Sequence, residues 1–191
     1  MGDLVTIDEA KGFLRVNSSM IDAHLATLIA GVESWAANYC GTSWTVRNKT
    51  DYLDGGNGLL LPSLRPLVAV SEVHDCHDAA AVDTNYYRVA NGAVYYLEDG
   101  CVVKNWPEGR QRFRLNYTAG YNNGDTIKAE GSVAAPAGLK LAVLAVIDRL
   151  YRVRGGNTFQ GVQGNTSRWD SLIMGDCGDL LGPFDLRGVA H

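Results

Sequence analysis

The sequence predicts an α+β fold, in which a small α-helical bundle carries an inserted antiparallel β region and an extended C-terminal tail. Two segments near the start and a third at 136–154 repeat apolar residues at helical spacing. Between them, residues 44–121 form short β-branched and aromatic runs broken by Gly, Pro, Asn and Asp. We therefore expect one domain over 1–156 and a tail over 157–191.

The first helix is expected over residues 6–15. The Thr6 side chain can accept a hydrogen bond from the backbone of Glu9, and the Glu9 carboxylate can accept one from the backbone of Thr6. This reciprocal pair is the capping box of a helix start, and Val5 can then pack against Ala10.

A second helix is expected over 20–40, and its pattern is strongly periodic. Ser19 and Asp22 have the spacing of another capping box, and Gly41 suits a left-handed stop. The apolar positions that share one helical face are Ile21, Leu25, Leu28, Ile29, Val32, Trp35, Ala36 and Tyr39.

The central region is expected to form five to seven short strands in a small antiparallel sheet or sandwich. Asn91-Gly92 lies between two β-rich runs and predicts a tight hairpin turn. The expected strands are 44–53, 59–61, 67–73, 86–89, 93–97, 101–103 and 112–117.

The third helix, expected over 136–154, is apolar on more than one side. Pro136 suits its first turn, and Gly155-Gly156 ends it. One apolar face contains Leu139, Val143, Ile147, Leu150 and Tyr151, and a second flank contains Leu141, Leu144 and Val146. Two apolar flanks fit either packing against another subunit or a central position in the core, and the sequence leaves both open.

The final 35 residues combine a polar, glycine-rich composition with widely spaced apolar side chains. The residues expected to anchor this tail are Phe159, Trp169, Leu180, Leu181 and Phe184. Such spacing is typical of a segment that docks on a neighbouring protein, and the alternative is a loop wrapped over its own subunit.

Composition and charge exclude several classes of protein. The chain has 191 residues, of which 46% are hydrophobic and 20% charged, as in an ordinary globular protein. Lys140 and Asp148 interrupt the most apolar run, so we expect no membrane span. A net charge of −4 without a basic run argues against tight binding of duplex DNA. The four scattered cysteines fit free thiols in a reducing cytoplasm.

Motifs that would indicate catalysis are weak. His74, Cys76 and His77 form one cluster of metal-ligand types, but no second cluster completes four ligands, so we expect no metal. The glycine-rich segment 54–58 lacks the Lys-Ser/Thr of a phosphate loop and is expected to be a turn. We therefore expect neither enzyme activity nor a cofactor.

Several segments, taken in order along the chain, share a pattern with a known family. These segments are Leu4–Val16, Val32–Thr42, Leu59–Pro62, Arg65–Pro66, Val68–Val73, Leu115–Tyr121, Pro136–Arg154 and Leu180–Phe184. Together they resemble the head-tail connector (adaptor, or neck) proteins of long-tailed double-stranded DNA bacteriophages and of gene transfer particles. At the last segment, Phe184 and Asp185 stand where the family has Tyr and Arg.

The resemblance implies a structural protein of the virion neck that is assembled in the host cytoplasm. Such proteins typically form a dodecameric ring below the portal and above the stopper or tail. Genome DNA passes through the ring without specific binding, and the C-terminal tail commonly docks on the portal. On this hypothesis Leu141, Leu144 and Val146 pack between subunits, and Phe159, Trp169, Leu180, Leu181 and Phe184 dock the tail.

Three alternatives stay open at this point. Within the same setting, the chain could be a stopper or tail-completion protein. A metal hydrolase would use His74, Cys76 and His77. A cytoplasmic carbohydrate- or protein-binding module would use the aromatic residues of the β region, namely Trp44, Tyr52, Tyr86, Tyr87, Tyr95, Tyr96 and Trp106.

Overall fold

The chain folds into two compact units, which the computed structural model describes over residues 4–98, 102–123, 131–155 and 181–184. The helical unit combines the N-terminal residues 1–40 with residues 134–191, and the β unit contains residues 41–133. The predicted α+β fold is confirmed. The β unit is thus inserted in sequence between the second and third helices.

Over its described residues, the helical unit contains three α-helices: α1 (Ile7–Leu14), α2 (Asp22–Cys40) and α3 (Ala137–Gly155). The capping box predicted for α1 is confirmed. The Thr6 hydroxyl accepts a hydrogen bond from Glu9 N at 3.2 Å, and the Glu9 carboxylate accepts one from Thr6 N at 2.9 Å. Arg15 then ends the helix in the left-handed conformation, with φ of 58°.

The start of α2 differs from the prediction. A 3-10 turn over Ser19–Ile21 precedes the helix, and the side chain of Ser18 caps that turn by accepting from Met20 N at 3.2 Å. The predicted pairing of Ser19 with Asp22 was therefore wrong. The tighter turn moves the cap one residue earlier, and the Asp22 carboxylate instead pairs with Lys11 Nζ at 2.7 Å.

The part of the β unit that the structure describes, residues 41–98, 102–123 and 131–133, contains eight strands in two antiparallel sheets. They are β1 (Arg47–Leu53), β2 (Leu59–Leu60), β3 (Leu67–Asp75), β4 (Ala80–Ala81), β5 (Tyr87–Ala90), β6 (Ala93–Glu98), β7 (Val102–Lys104) and β8 (Phe113–Ala119). One sheet has the order β1-β8-β3-β4. In the other, β6 pairs with β5, β2 and β7. The two-residue strand β4 is the one that the sequence did not predict, because two alanines carry no alternating pattern.

The core of the β unit takes side chains from both sheets. Strand β8 alternates strictly, with Phe113, Leu115, Tyr117 and Ala119 buried and the residues between them half-buried. The other buried members of this core are Leu60, Leu64, Val73, Val94 and Trp106. The Asn91-Gly92 hairpin turn joins β5 to β6 as predicted, with φ of 50° and 72° at the two turn residues.

Candidate subunit-contact surfaces

Helix α3 has one buried stripe and one outward face. The buried residues are Leu139, Ala142, Val143, Val146 and Ile147. Val146 lies three residues after Val143, about 60° away around the helix, so it belongs to the buried stripe and was wrongly grouped with Leu141. Leu141, on the far side, is 57% exposed, and Leu144 is half-buried. Of the three residues, Leu141 is therefore the most accessible to a neighbouring subunit.

An open apolar groove of about 350 Å³ lies between α2 and α3 in the helical unit. Its lining residues are His24, Thr27, Leu28, Gly31, Val32, Trp35, Val146 and Leu150. The α2 residues among them recur at helical spacing and form one flank of the helix. A side chain added at Gly31 would meet no atom within 4 Å, so the glycine leaves this flank open.

The opposite flank of α2 holds the start of the chain. Glu33 is only 5% exposed, and its carboxylate accepts hydrogen bonds from Leu4 N at 3.0 Å and Val5 N at 2.7 Å. Glu33 and Gly31 are two residues apart, and so about 200° apart around the helix. The chain start and the groove therefore occupy opposite sides of α2. The role of Glu33 was not predicted from the sequence, although a charged residue on an apolar helix face indicates a buried partner.

Helices α1 and α3 are linked by an ion pair between Glu9 and Lys140. Lys140 lowers the pKa of Glu9 through its hydrogen bond, and the hydrogen bond from Thr6 N acts in the same direction. Near these helices the unit exposes two further apolar side chains, Phe13 at 40% and Met20 at 93%. Single exposed apolar side chains are common on protein surfaces, so these two residues do not by themselves define a contact site.

The described end of the tail packs on its own helical unit. Leu181 is completely buried, and the ring of Phe184 lies against Gly138, where an added Cβ would come within 3.0 Å of it. The other predicted anchors, Phe159, Trp169 and Leu180, lie outside the described residues. Leu181 thus has a structural role in the protomer, while docking of the tail on a neighbour stays a prediction.

The His74–Asp78 cluster contains a salt bridge that the sequence analysis did not anticipate. Arg112 Nε lies 2.9 Å from Asp75 Oδ2, and Arg112 NH2 lies 2.8 Å from the same oxygen. Burial alone would raise the pKa of Asp75, but hydrogen bonds from Arg112 and from His77 N lower it below its usual value. Among the described residues, no group of three or more His, Cys, Asp or Glu side chains is placed to hold a metal ion.

A second polar network joins β1, β8 and the loop after β2. The Tyr117 hydroxyl donates to Asp51 Oδ2 at 2.6 Å and accepts from Leu64 N at 3.1 Å, while Ser63 N donates to Asp51 Oδ2 at 2.8 Å. Burial and the hydrogen bond to Asp51 raise the pKa of Tyr117 to about 12. Burial would raise the pKa of Asp51, but the hydrogen bonds from Tyr117 and Ser63 lower it overall. The network ties β1 and β8 to the loop that follows β2.

Of the seven aromatic residues considered for a binding platform, the two tryptophans are buried, whereas Tyr52 and Tyr86 are 58% and 47% exposed. Trp44 is 5% exposed and stacks on Tyr121, with ring centroids 6.4 Å apart. Trp106 is 1% exposed and packs between Tyr96 and Phe113, at 5.0 Å and 4.8 Å. The two tryptophans therefore serve the core, and they are unavailable for stacking on a sugar.

No described helix is both long enough and apolar enough to cross a lipid bilayer. Within its described residues, the helical unit presents the apolar groove and the exposed Leu141 as candidate contacts with another protein.

Comparison with known proteins gives matches in three-dimensional structure. No protein-family model matches the chain, and no curated protein matches it either. Its fold is similar to a chain in the virion of a native gene transfer agent particle, with a TM-score of 0.57 and 16% identity over 95% of this chain and 89% of that chain. A chain in the neck of an empty gene transfer agent particle, computed with C6 symmetry, matches with a TM-score of 0.55, 16% identity and the same coverage.

A third match is a chain in the neck of a native gene transfer agent particle, computed with C12 symmetry. Its TM-score is 0.50 at 15% identity, over 93% of this chain and 86% of that chain. At these identities the likeness is one of fold. The protein therefore has the fold of chains found in the virions and necks of gene transfer agent particles.

Proposed function

We propose that the protein is a structural virion protein, a head-tail connector (adaptor) that forms a ring in the particle neck between the portal and the stopper or tail. The observation that carries this proposal is the fold likeness, which spans 95% of the chain and includes neck chains. A shared fold alone does not determine function, so the proposal also draws on the chemistry of the surfaces.

Ring formation needs exposed apolar surface on a protomer that is otherwise well packed. Leu141 provides it on the outward face of α3, and Leu144 lies half-buried beside it. In a closed ring of identical subunits each contact joins two different patches, so an exposed leucine on one flank needs a different acceptor surface on the next copy. We assign Leu141 and Leu144 to this lateral contact.

The charge of the chain suits a channel for DNA. A net charge of −4 gives no excess of Lys and Arg to neutralise phosphates, so DNA can slide through the ring without being held. The C-terminal tail would contact the portal through Phe159 and Trp169. Leu181 is already buried in the protomer, so it would position the tail rather than dock it.

The proposal is tested by the mass of the protein alone and with portal rings from the same particle. We expect a ring, either free or formed on the portal, and twelve copies of the 20.6 kDa chain would have a mass of about 250 kDa. Mass photometry followed by electron microscopy of the complex would measure this. A chain that stays monomeric with the portal and instead joins isolated tails would be a tail-completion protein, and the connector assignment would be wrong.

Docking of the tail is tested by substitution rather than by deletion. Removing residues 157–191 would also remove the buried Leu181, so lost binding would not distinguish docking from folding. Replacing Phe159 and Trp169 with Ser keeps the described core intact. We expect the double variant to fold normally and to lose portal binding. Undiminished binding would contradict the assignment of these two residues.

A further inference from the structure

We propose that the groove between α2 and α3 binds residues 157–180 of the same copy of the chain. The groove is apolar and open, and none of its eight lining residues is an acid, a lysine or an arginine. Apolar side chains that pack on such a surface remove apolar area from water, and this burial stabilises the folded chain. The occupant is identified by where residues 157–180 begin and end, by their charge and by their composition.

Both ends of this segment belong to the helical unit. It begins directly after α3, which ends at Gly155, only five residues beyond the groove residue Leu150. It leads into Leu181, which is buried, and Phe184, which lies against Gly138 in the first turn of α3. The chain must therefore return along α3 over about 26 Å, the length of 17 helical residues.

The length of the segment leaves room for a path over the groove. About 25 residues can span roughly 80 Å when extended, which is three times the distance that the chain must cover. Because both ends are tethered to the same unit, docking is intramolecular and has a high effective concentration. A neighbouring copy would have to compete with this local segment.

Charge favours the same path. The segment contains Asp170, Asp176 and Asp179 with a single basic residue, Arg168. The sequence of α3 contains four basic residues and one acidic residue. An acidic segment that runs back along a helix with a net positive charge gains a favourable long-range interaction.

The composition of the segment suits the groove. Phe159, Val162, Trp169 and the apolar run 172–174 are separated from one another by polar residues and glycine, so they can occupy the apolar groove one after another. If the protein is a connector as proposed above, Phe159 and Trp169 would exchange the groove of their own copy for the portal during assembly. The groove contact itself does not depend on that function.

Trypsin cleavage after Arg168 tests the proposal, because Arg168 is the one Lys or Arg between Gly155 and Leu181. In the isolated full-length chain we expect this bond to be cleaved at least tenfold more slowly than in a synthetic peptide of residues 157–180. Gly31→Leu places a side chain in the groove and should raise the cleavage rate about tenfold. Gly12→Leu is the matched control, since Gly12 is also helical, meets no atom within 4 Å and is not a lining residue, and it should change nothing.

A second groove variant tests the same contact in case Gly31→Leu disturbs the folding of α2. Thr27→Glu, at an exposed position on the groove, introduces a charge that repels the acidic segment and should also raise the cleavage rate. Circular dichroism should report unchanged helix content in all three variants. The proposal is overturned if the wild-type chain is cleaved as fast as the peptide, or if Gly31→Leu and Thr27→Glu cleave at the wild-type rate.

Cross-linking distinguishes the same copy from a neighbouring copy. Gly31→Cys combined with Phe159→Cys or Trp169→Cys, with Cys76, Cys101 and Cys177 replaced by Ser, should give a disulfide within one chain. Covalent dimers would place the segment on another copy and would overturn the proposal. All of these measurements use the chain without portal, so their outcome is independent of whether the protein forms a neck ring.

Discussion

The buried end of the tail provides a direct test of how the helical unit is held together. Leu181 is completely buried, although it follows a glycine-rich sequence and lies far along the chain from α3. Truncating a buried leucine to alanine removes its transfer free energy and leaves a cavity, at a cost of about 2–5 kcal/mol. We therefore expect Leu181→Ala to lower the free energy of unfolding by about 3 kcal/mol.

The assay is urea denaturation of the full chain followed by circular dichroism, together with thermal unfolding. For a chain of this size, 1 kcal/mol corresponds to about 2–4 °C in Tm, so we expect Leu181→Ala to lower Tm by roughly 6–12 °C. Leu141→Ala is the matched control, since the same atoms are removed from a side chain that is 57% exposed. Its effect on stability should be within about 0.5 kcal/mol.

The two variants should separate folding from assembly. Leu141→Ala is expected to weaken ring formation while leaving the protomer stable, and Leu181→Ala to weaken the protomer itself. If Leu181→Ala is as stable as the wild type, residues 181–184 do not contribute to the core of the helical unit.

Two further predictions concern the β unit. Because the pKa of Tyr117 is raised from 10 to about 12 in the folded state, the unfolded chain ionises first as pH rises. The neutral Tyr117 hydroxyl makes its full contribution to the free energy of unfolding below pH 10. This contribution decreases as pH rises above 10 and is lost at about pH 12, a change of about 2–3 kcal/mol. Tyr117→Phe should flatten this alkaline limb of the stability curve, and an unchanged limb would argue against the burial of the hydroxyl. Arg112→Ala should lower the free energy of unfolding at neutral pH, since it leaves the Asp75 carboxylate without its cation. The pKa of Asp75 is lowered in the folded state, so the stability it provides is present above about pH 4 and is lost as pH falls. Arg112→Ala should therefore lower the free energy of unfolding less in acid than at neutral pH. Arg152→Ala, which breaks an exposed pair with Asp148, is the control and should have little effect.

Local sequence signals predicted the elements of secondary structure closely. The third helix was expected over 136–154 and spans Ala137–Gly155, because a proline start and a glycine stop act through the backbone of a few adjacent residues. The hairpin at Asn91-Gly92 was predictable for the same reason, since its turn needs two residues with positive φ.

The assignment of apolar residues to faces was less reliable. Val146 was expected beside Leu141, and the structure buries it instead. A helix that is apolar on several sides carries little information about which side meets the core, because that depends on where α1 and α2 lie. The position of Gly31 in the groove was also not predicted. A glycine in a helix interior destabilises the helix by about 1 kcal/mol relative to alanine, so its presence in α2 was a signal of a special position.

The sequence alone predicted the class of fold, the order of the helices and of seven of the eight described strands, the capping box of α1 and the turn at Asn91-Gly92. Caps and turns are predictable because they rest on contacts within a few residues. Only the tertiary structure decided that Glu33 anchors the chain start, that Arg112 neutralises Asp75, that Leu181 belongs to the core and that a groove remains between α2 and α3. Each of these depends on residues brought together from distant parts of the chain, and no local pattern specifies which distant side chain will complete a contact.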